Sequence, residues 1–185
     1  MNKRKILFAV FIIVFGVIFR IFLNEKIGIP NFEAITALSL LSGSFFGGVF
    51  AAVIPFLMIF FSDLYFGNTS VYLFTWSAFI LIGIFGTFVK RNKKHYPLKI
   101  TGMGIISVLF FYLFTNFGWW LTSGMYPMTF EGIIQCYIAG LPFLKNQLFS
   151  ALIFVPSFAF IFSLLLESRK WRVESRYLWR KIMKI

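Results

Sequence analysis

The chain has 185 residues, 59% hydrophobic and only 13% charged, with a mean hydropathy of +0.86, which excludes an ordinary soluble domain. Its formal net charge of +12 does not point to nucleic acid, because 15 of the 18 Lys and Arg fall at 3–5, 90–99 and 169–184, each cluster beside an apolar run. That placement is what the positive-inside rule produces, with anionic membrane lipid as the natural partner.

Apolar runs facing lipid satisfy their backbone only as helices, and the expected elements follow in order. The start "MNKRKILFAVFIIVFGVIF" resembles a signal peptide, but no small-x-small site follows, so a retained span over Ile6–Leu23 is expected. "NEKIGIPN" breaks it, and helix two then covers Phe32–Phe46. Gly47-Gly48 makes a tight turn into helix three, Val49–Phe61. Both helices are short for full spans, which need about 20 residues. After the loop "SDLYFGNTS", span four covers Val71–Val89, and span five covers Ile100–Leu121 beyond the basic loop "KRNKKHYPLK". "FEGIIQCYIAGLPF" is apolar but short, and is expected to perch at the surface or re-enter. Span six is placed at Gln147–Leu166, with Pro156 as a kink.

These elements predict an all-α integral membrane protein of six transmembrane helices, one domain over 1–185. Six crossings put both termini and all three basic clusters on the cytoplasmic side, and loops 24–31, 62–70 and 122–146 outside. The tail 168–185 spaces Trp171, Leu178, Ile182 and Ile185 among basic residues, which predicts an interfacial helix. Ser39, Gly43 and Gly47 recur every fourth residue, as a packing stripe within the bundle or a docking face for a partner protein.

The polar residues carry the functional reading. Asn31 and Glu33 read as an N-cap and first-turn acid of helix two, Asp63 as a loop cap, and Glu131 as the acid after Thr129 at a helix start. Trp119, Trp120 and Tyr126 suit an interfacial aromatic belt. Asn116 lies a turn deeper, where a buried amide needs partners. An outward pocket would supply them, walled by Asn116, Trp119, Trp120, Glu131 and Gln135 and bent at Gly118 and Gly124. Cys136 reads as a small buried apolar residue, or as a ligand to a metal-containing substrate.

One cysteine allows no internal disulfide, and one histidine, His95 in the basic loop, argues against a resident metal. No H-E-x-x-H, G-x-S-x-G, phosphate loop or acid pair within the spans occurs. No enzymatic activity, cofactor or ATP-dependent drive is expected of the chain itself.

The blocks "PNFEAITALSLLSGSFFGG", "IPFLMIFFSDLYFG" and "TNFGWWLTSGMYPMTFEGIIQCYIAGLPFLKNQLF" resemble those of a group of uncharacterised small bacterial membrane proteins. That group is similar to the substrate-binding S components of energy-coupling factor (ECF) transporters. The resemblance implies an S-component-like bundle with short helices two and three in the bacterial inner membrane. It also implies an outer pocket for a vitamin-like micronutrient, and a coupling subunit with ATPases as partners. At matched positions it gives Asn31, Asp63, Asn116, Trp119, Tyr126 and Cys136 as pocket residues. S components dock through Ala-x-x-x-Ala on helix one, whereas this span carries only Ala9 and Gly16. The chain is therefore expected to work alone or to dock through helices two and three. The alternative is an assembly protein of the cell-shape type, which shares a similar six-helix fold and binds protein partners.

Overall fold

The computed structural model describes residues 3–67, 69–91 and 95–182. Its elements are α1 (Lys3–Phe22), a π-helical turn (Leu23–Ile27), α2 (Ile35–Phe46), α3 (Phe50–Phe66), α4 (Tyr72–Thr87), α5 (Tyr96–Thr122) and α6 (Phe130–Ile182). No strand occurs among the described residues. Three helical stretches are long and apolar enough to cross a membrane: Lys5–Ile27, Tyr96–Thr122 and Phe130–Leu164. The apolar helices α2, α3 and α4 are shorter.

The helices alternate in direction. Hydrogen bonds from Arg20 and Trp76 to Asp63, and from Thr122 to Ser70, gather the ends of α1, α3 and α5 with the start of α4. This far end carries residues 28–34, 67–71 and 123–129. At the near end Ser44 meets Tyr96, and Arg91 lies over the Phe45 ring, 4.8 Å from its centroid.

The short α2 is the axis of the bundle. It touches α1, α3, α4, α5 and α6, and every residue from Ile35 to Gly43 is buried. A helix apolar on all faces is stable only when surrounded, which explains why a helix of only twelve residues persists here. Its neighbours come close through glycines. A Cβ on Gly43 would collide with the Gly83 carbonyl, on Gly83 with the Ala51 carbonyl, and on Gly86 with the Leu40 carbonyl. Small residues let helix backbones approach and gain dispersion contacts along their length. The stripe Ser39 and Gly43 therefore faces inward, fully buried, and is not a face open to a partner. Gly47, with φ of +63°, forms the turn into α3 together with Gly48 at +54°.

Two expected boundaries change. Helix α3 runs on to Phe66, so Asp63 sits within its last turn and not in a loop. "FEGIIQCYIAGLPF" is neither perched nor re-entrant: it is the first part of α6, which continues unbroken through Pro142 and Pro156 to Ile182. Proline removes one N–H from the ladder, and α5, packed along α6 from Cys136 to Val155, holds the helix through it. The outward loop expected over 122–146 shrinks to 123–129. In the basic tail the helix continues to Ile182, while the side chains after 164 and all of 183–185 lie outside the described residues.

Candidate functional site

At the far end the helix termini enclose a cavity of about 330 Å³. Arg20 enters from the last turn of α1 and Asn24 from the π-turn that follows. Asn31, Phe32 and Glu33 come from the segment before α2, Asp63 and Phe66 from α3, Tyr72, Thr75 and Phe79 from α4, Phe111 from α5 and Gln147 from α6. Single-turn π segments occur often at functional sites. This one ends at Gly28, whose φ of +66° turns the chain back over the cavity.

One side of the cavity is an ion pair. Arg20 Nη1 donates to Asp63 Oδ1 at 2.6 Å and also to the hydroxyl oxygen of Ser62. Trp76 Nε1 donates to the other oxygen, Oδ2, at 2.7 Å. The guanidinium also lies over the Phe66 ring, 5.3 Å from its centroid. Asp63 is only 8% exposed, and a charge so removed from water is tolerable because both its oxygens are engaged.

The third charged group of the lining is Glu33. Its carboxylate accepts the Thr36 backbone N–H at 3.0 Å, the Thr36 hydroxyl, and the Gln147 amide at 3.3 Å. Gln147, 1% exposed, also donates to the Thr36 hydroxyl oxygen at 3.3 Å. Asn146 donates to the Pro30 carbonyl at 3.0 Å and so ties α6 to the segment before α2. Burial pushes the Glu33 carboxyl above the usual carboxylate range; hydrogen bonds from Thr36 and Gln147 and the charge of Arg20 oppose it.

Of the nine residues predicted for a pocket, the structure brings Asn31 and Asp63 to this cavity. The other seven do not line it. Asn116 lies in the seam between α5 and α6, where its Nδ2 donates to the Tyr112 carbonyl at 2.8 Å and its amide fills the space left by Gly140. Cys136, buried in the same seam, donates to the Asn116 carbonyl at 3.4 Å. Trp120 Nε1 donates to the Pro127 carbonyl at 3.0 Å, closing the 123–129 connection. Trp119 and Tyr126 are half-buried, and Glu131 and Gln135 are exposed. The Asn116 amide needed partners, as the sequence implied. One is the Tyr112 carbonyl a turn back, and the amide packs against Gly140 across the seam.

The sequence reading did not place Arg20, Asn24, Glu33, Tyr72 or Gln147 in a site. A usable signal existed: Arg20, Asp63 and Gln147 each interrupt an apolar run near its end, and two of them are opposite charges. Among the described residues no group of three His, Cys, Asp or Glu side chains could hold a metal ion.

The fold and site define a class: an all-helical protein with helices suited to a bilayer and a polar-aromatic cavity among the helix ends. Within it, the chain belongs to DUF6580, a family of unknown function, which it matches over residues 1–175. That match carries no link to ECF S components. No curated protein and no solved structure matches the chain.

Proposed function

We propose that this chain is the substrate-capturing membrane protein of an uptake system for a small, vitamin-like micronutrient, similar in plan to an ECF S component. The observation that carries the reading is the far-end cavity of about 330 Å³, lined by both rings and fixed polar groups. Its size falls at the lower end of small-molecule pockets, about 300–1,000 Å³. Capture, not catalysis, is the chemistry offered. Apolar walls bury the body of the ligand, and Asn31, Glu33 and Gln147 fix its orientation, so a ligand without matching groups removes them from water without replacing those contacts.

The six helices are read as six crossings of a bacterial cytoplasmic membrane. With Lys3, Lys5, Lys90, Arg91 and Lys99 at the near end, that end lies in the cytoplasm and the cavity opens outside. Helix α2, about 18 Å long at 1.5 Å per residue, crosses only as part of the bundle, shielded from lipid by its neighbours. A coupling subunit with ATPases would supply the drive.

The test is native mass spectrometry of the full chain released from membranes in mild detergent. A small molecule should travel with the protein and be lost in Thr75→Trp, which fills the cavity. A chain that carries nothing, and binds nothing from a vitamin panel that Thr75→Trp fails to bind, overturns the reading. The second reading, an assembly protein, draws on the wholly apolar groove between α1 and α3, about 350 Å³, lined by Val10, Val14, Val17, Leu57 and Phe61. Site-specific crosslinking from Val14 to a partner helix in membranes, with an empty cavity, would favour it.

A further inference from the structure

The charges of the cavity point to the class of its ligand, given the capture reading above. Three formal charges line it: Arg20, Glu33 and Asp63. Two of these satisfy each other. Arg20 and Asp63 pair at 2.6 Å, Trp76 fills the remaining Asp63 oxygen, and the face of the guanidinium is covered by Phe66. The pair is made through Nη1 of Arg20 alone and leaves the two groups together without net charge. Glu33 is different. Among the described residues its hydrogen-bond donors are all neutral, from Thr36 and Gln147, and it makes no ion pair. The polar and charged groups that line the cavity with it are Arg20 from α1, Asn24, Asn31, Thr69, Asp63 from α3, Tyr72 and Thr75 from α4 and Gln147 from α6, and Thr36 from α2 touches Glu33 directly. Of these only Arg20 is positive, and its charge is paired with Asp63.

The lining therefore carries one more acid than base, and with Glu33 ionised it has one negative charge that makes no ion pair among the described residues. Around it stand the rings of Phe32, Phe66, Tyr72, Phe79 and Phe111. Aromatic faces attract cations, more strongly when water is excluded, and a half-buried carboxylate gains from a positive partner what it lost in solvation. An anion would meet Glu33, and the one cation in the lining already has its charge balanced by Asp63. We propose that the ligand is a small organic cation with a flat or apolar body, its positive group against Glu33 and its body between the rings.

Three soluble probes of one shape and different charge test this: 1-methylnicotinamide (cation), nicotinamide (neutral) and nicotinate (anion), titrated calorimetrically into the purified full chain. The cation should bind at least about tenfold more tightly than the neutral amide, and nicotinate should not bind. Glu33→Gln should remove the preference for the cation, while Glu33→Asp keeps it in part. A cooperative thermal transition in Glu33→Gln shows that the fold survives. Equal affinity for cation and neutral probe, preference for nicotinate, no binding by any of the three in the millimolar range, or a cation preference that persists in Glu33→Gln would each overturn the inference. A copurified molecule that is neutral or anionic and lost in Thr75→Trp would overturn it while leaving the capture reading standing. An empty cavity in both assays removes that reading as well.

Discussion

Arg20, Asp63 and Glu33 show how the position of a charge decides its role. Arg20 keeps 23% of its side chain exposed and Asp63 11%, so the pair is mostly dry, and losing one partner is worse than losing both. Arg20→Met should destabilise the protein by about 2–4 kcal/mol, below the limit for a fully buried pair. The double variant Arg20→Met/Asp63→Leu should recover most of that; unfolding of the four proteins of the cycle in mixed micelles measures it. Glu33 behaves in the opposite sense. Its folded pKa lies above the unfolded value, so the folded state binds more protons in the window just above the ordinary carboxylate range. Stability of the empty protein should therefore fall as pH rises through that window and level off above the folded pKa. Glu33→Gln should flatten the slope, as melting temperature against pH would show. At this scale the sequence was half legible. Glu33 was read as a helix-start acid, and it does take the Thr36 N–H. A local explanation that is sufficient hides a second role, because only the fold brings Gln147, 114 positions away, to the same carboxylate.

The helices themselves were easier to read than their ends. Apolar runs located α1 to α5, and the glycine pair located the turn at 47–48, because a positive φ at two successive residues leaves few alternatives to glycine. The expected break before span six falls where Lys145, Asn146 and Gln147 interrupt the apolar residues of α6. In the fold Asn146 bonds the segment before α2 and Gln147 lines the cavity, so this polarity serves contacts between helices and does not end one. The glycines also separate into kinds that sequence alone does not distinguish. Gly83→Val would drive a side chain into the Ala51 backbone and should cost several kcal/mol or prevent folding. Gly102, in α5, faces open space where a Cβ would stand; Gly102→Ala should stabilise by about 0.5–1 kcal/mol through helix propensity. Thermal unfolding of both variants gives opposite signs. Asn116→Leu, in the α5–α6 seam, should change stability and leave ligand affinity as it was, which titration of the copurified molecule would check.

For the whole molecule, alternating helix directions collect three kinds of group at the far end that the chain scatters over more than a hundred positions: rings, amides and charges. The gross architecture was legible because hydrophobicity and basic clusters are properties of long segments. The cavity was not, because it depends on which helix ends are neighbours, and that follows from glycine contacts around α2 that carry no charge or aromatic signal. Lys3, Lys5, Lys90, Arg91 and Lys99 lie at the near end, and the far end holds a cavity with one more acid than base in its lining. If that polarity spans a membrane, a Cys replacing Asn31 should react with an impermeant thiol reagent added outside intact cells, and one replacing Ser44 should not.

The clasp on Glu33 has a thermodynamic corollary. A carboxylate held by Thr36 from its own segment and by Gln147 from α6 has little rotamer freedom left to surrender when a guest arrives. Its ordering was settled during folding, so recognition at this group is preorganised, and association should show a smaller entropic penalty than a mobile glutamate would impose.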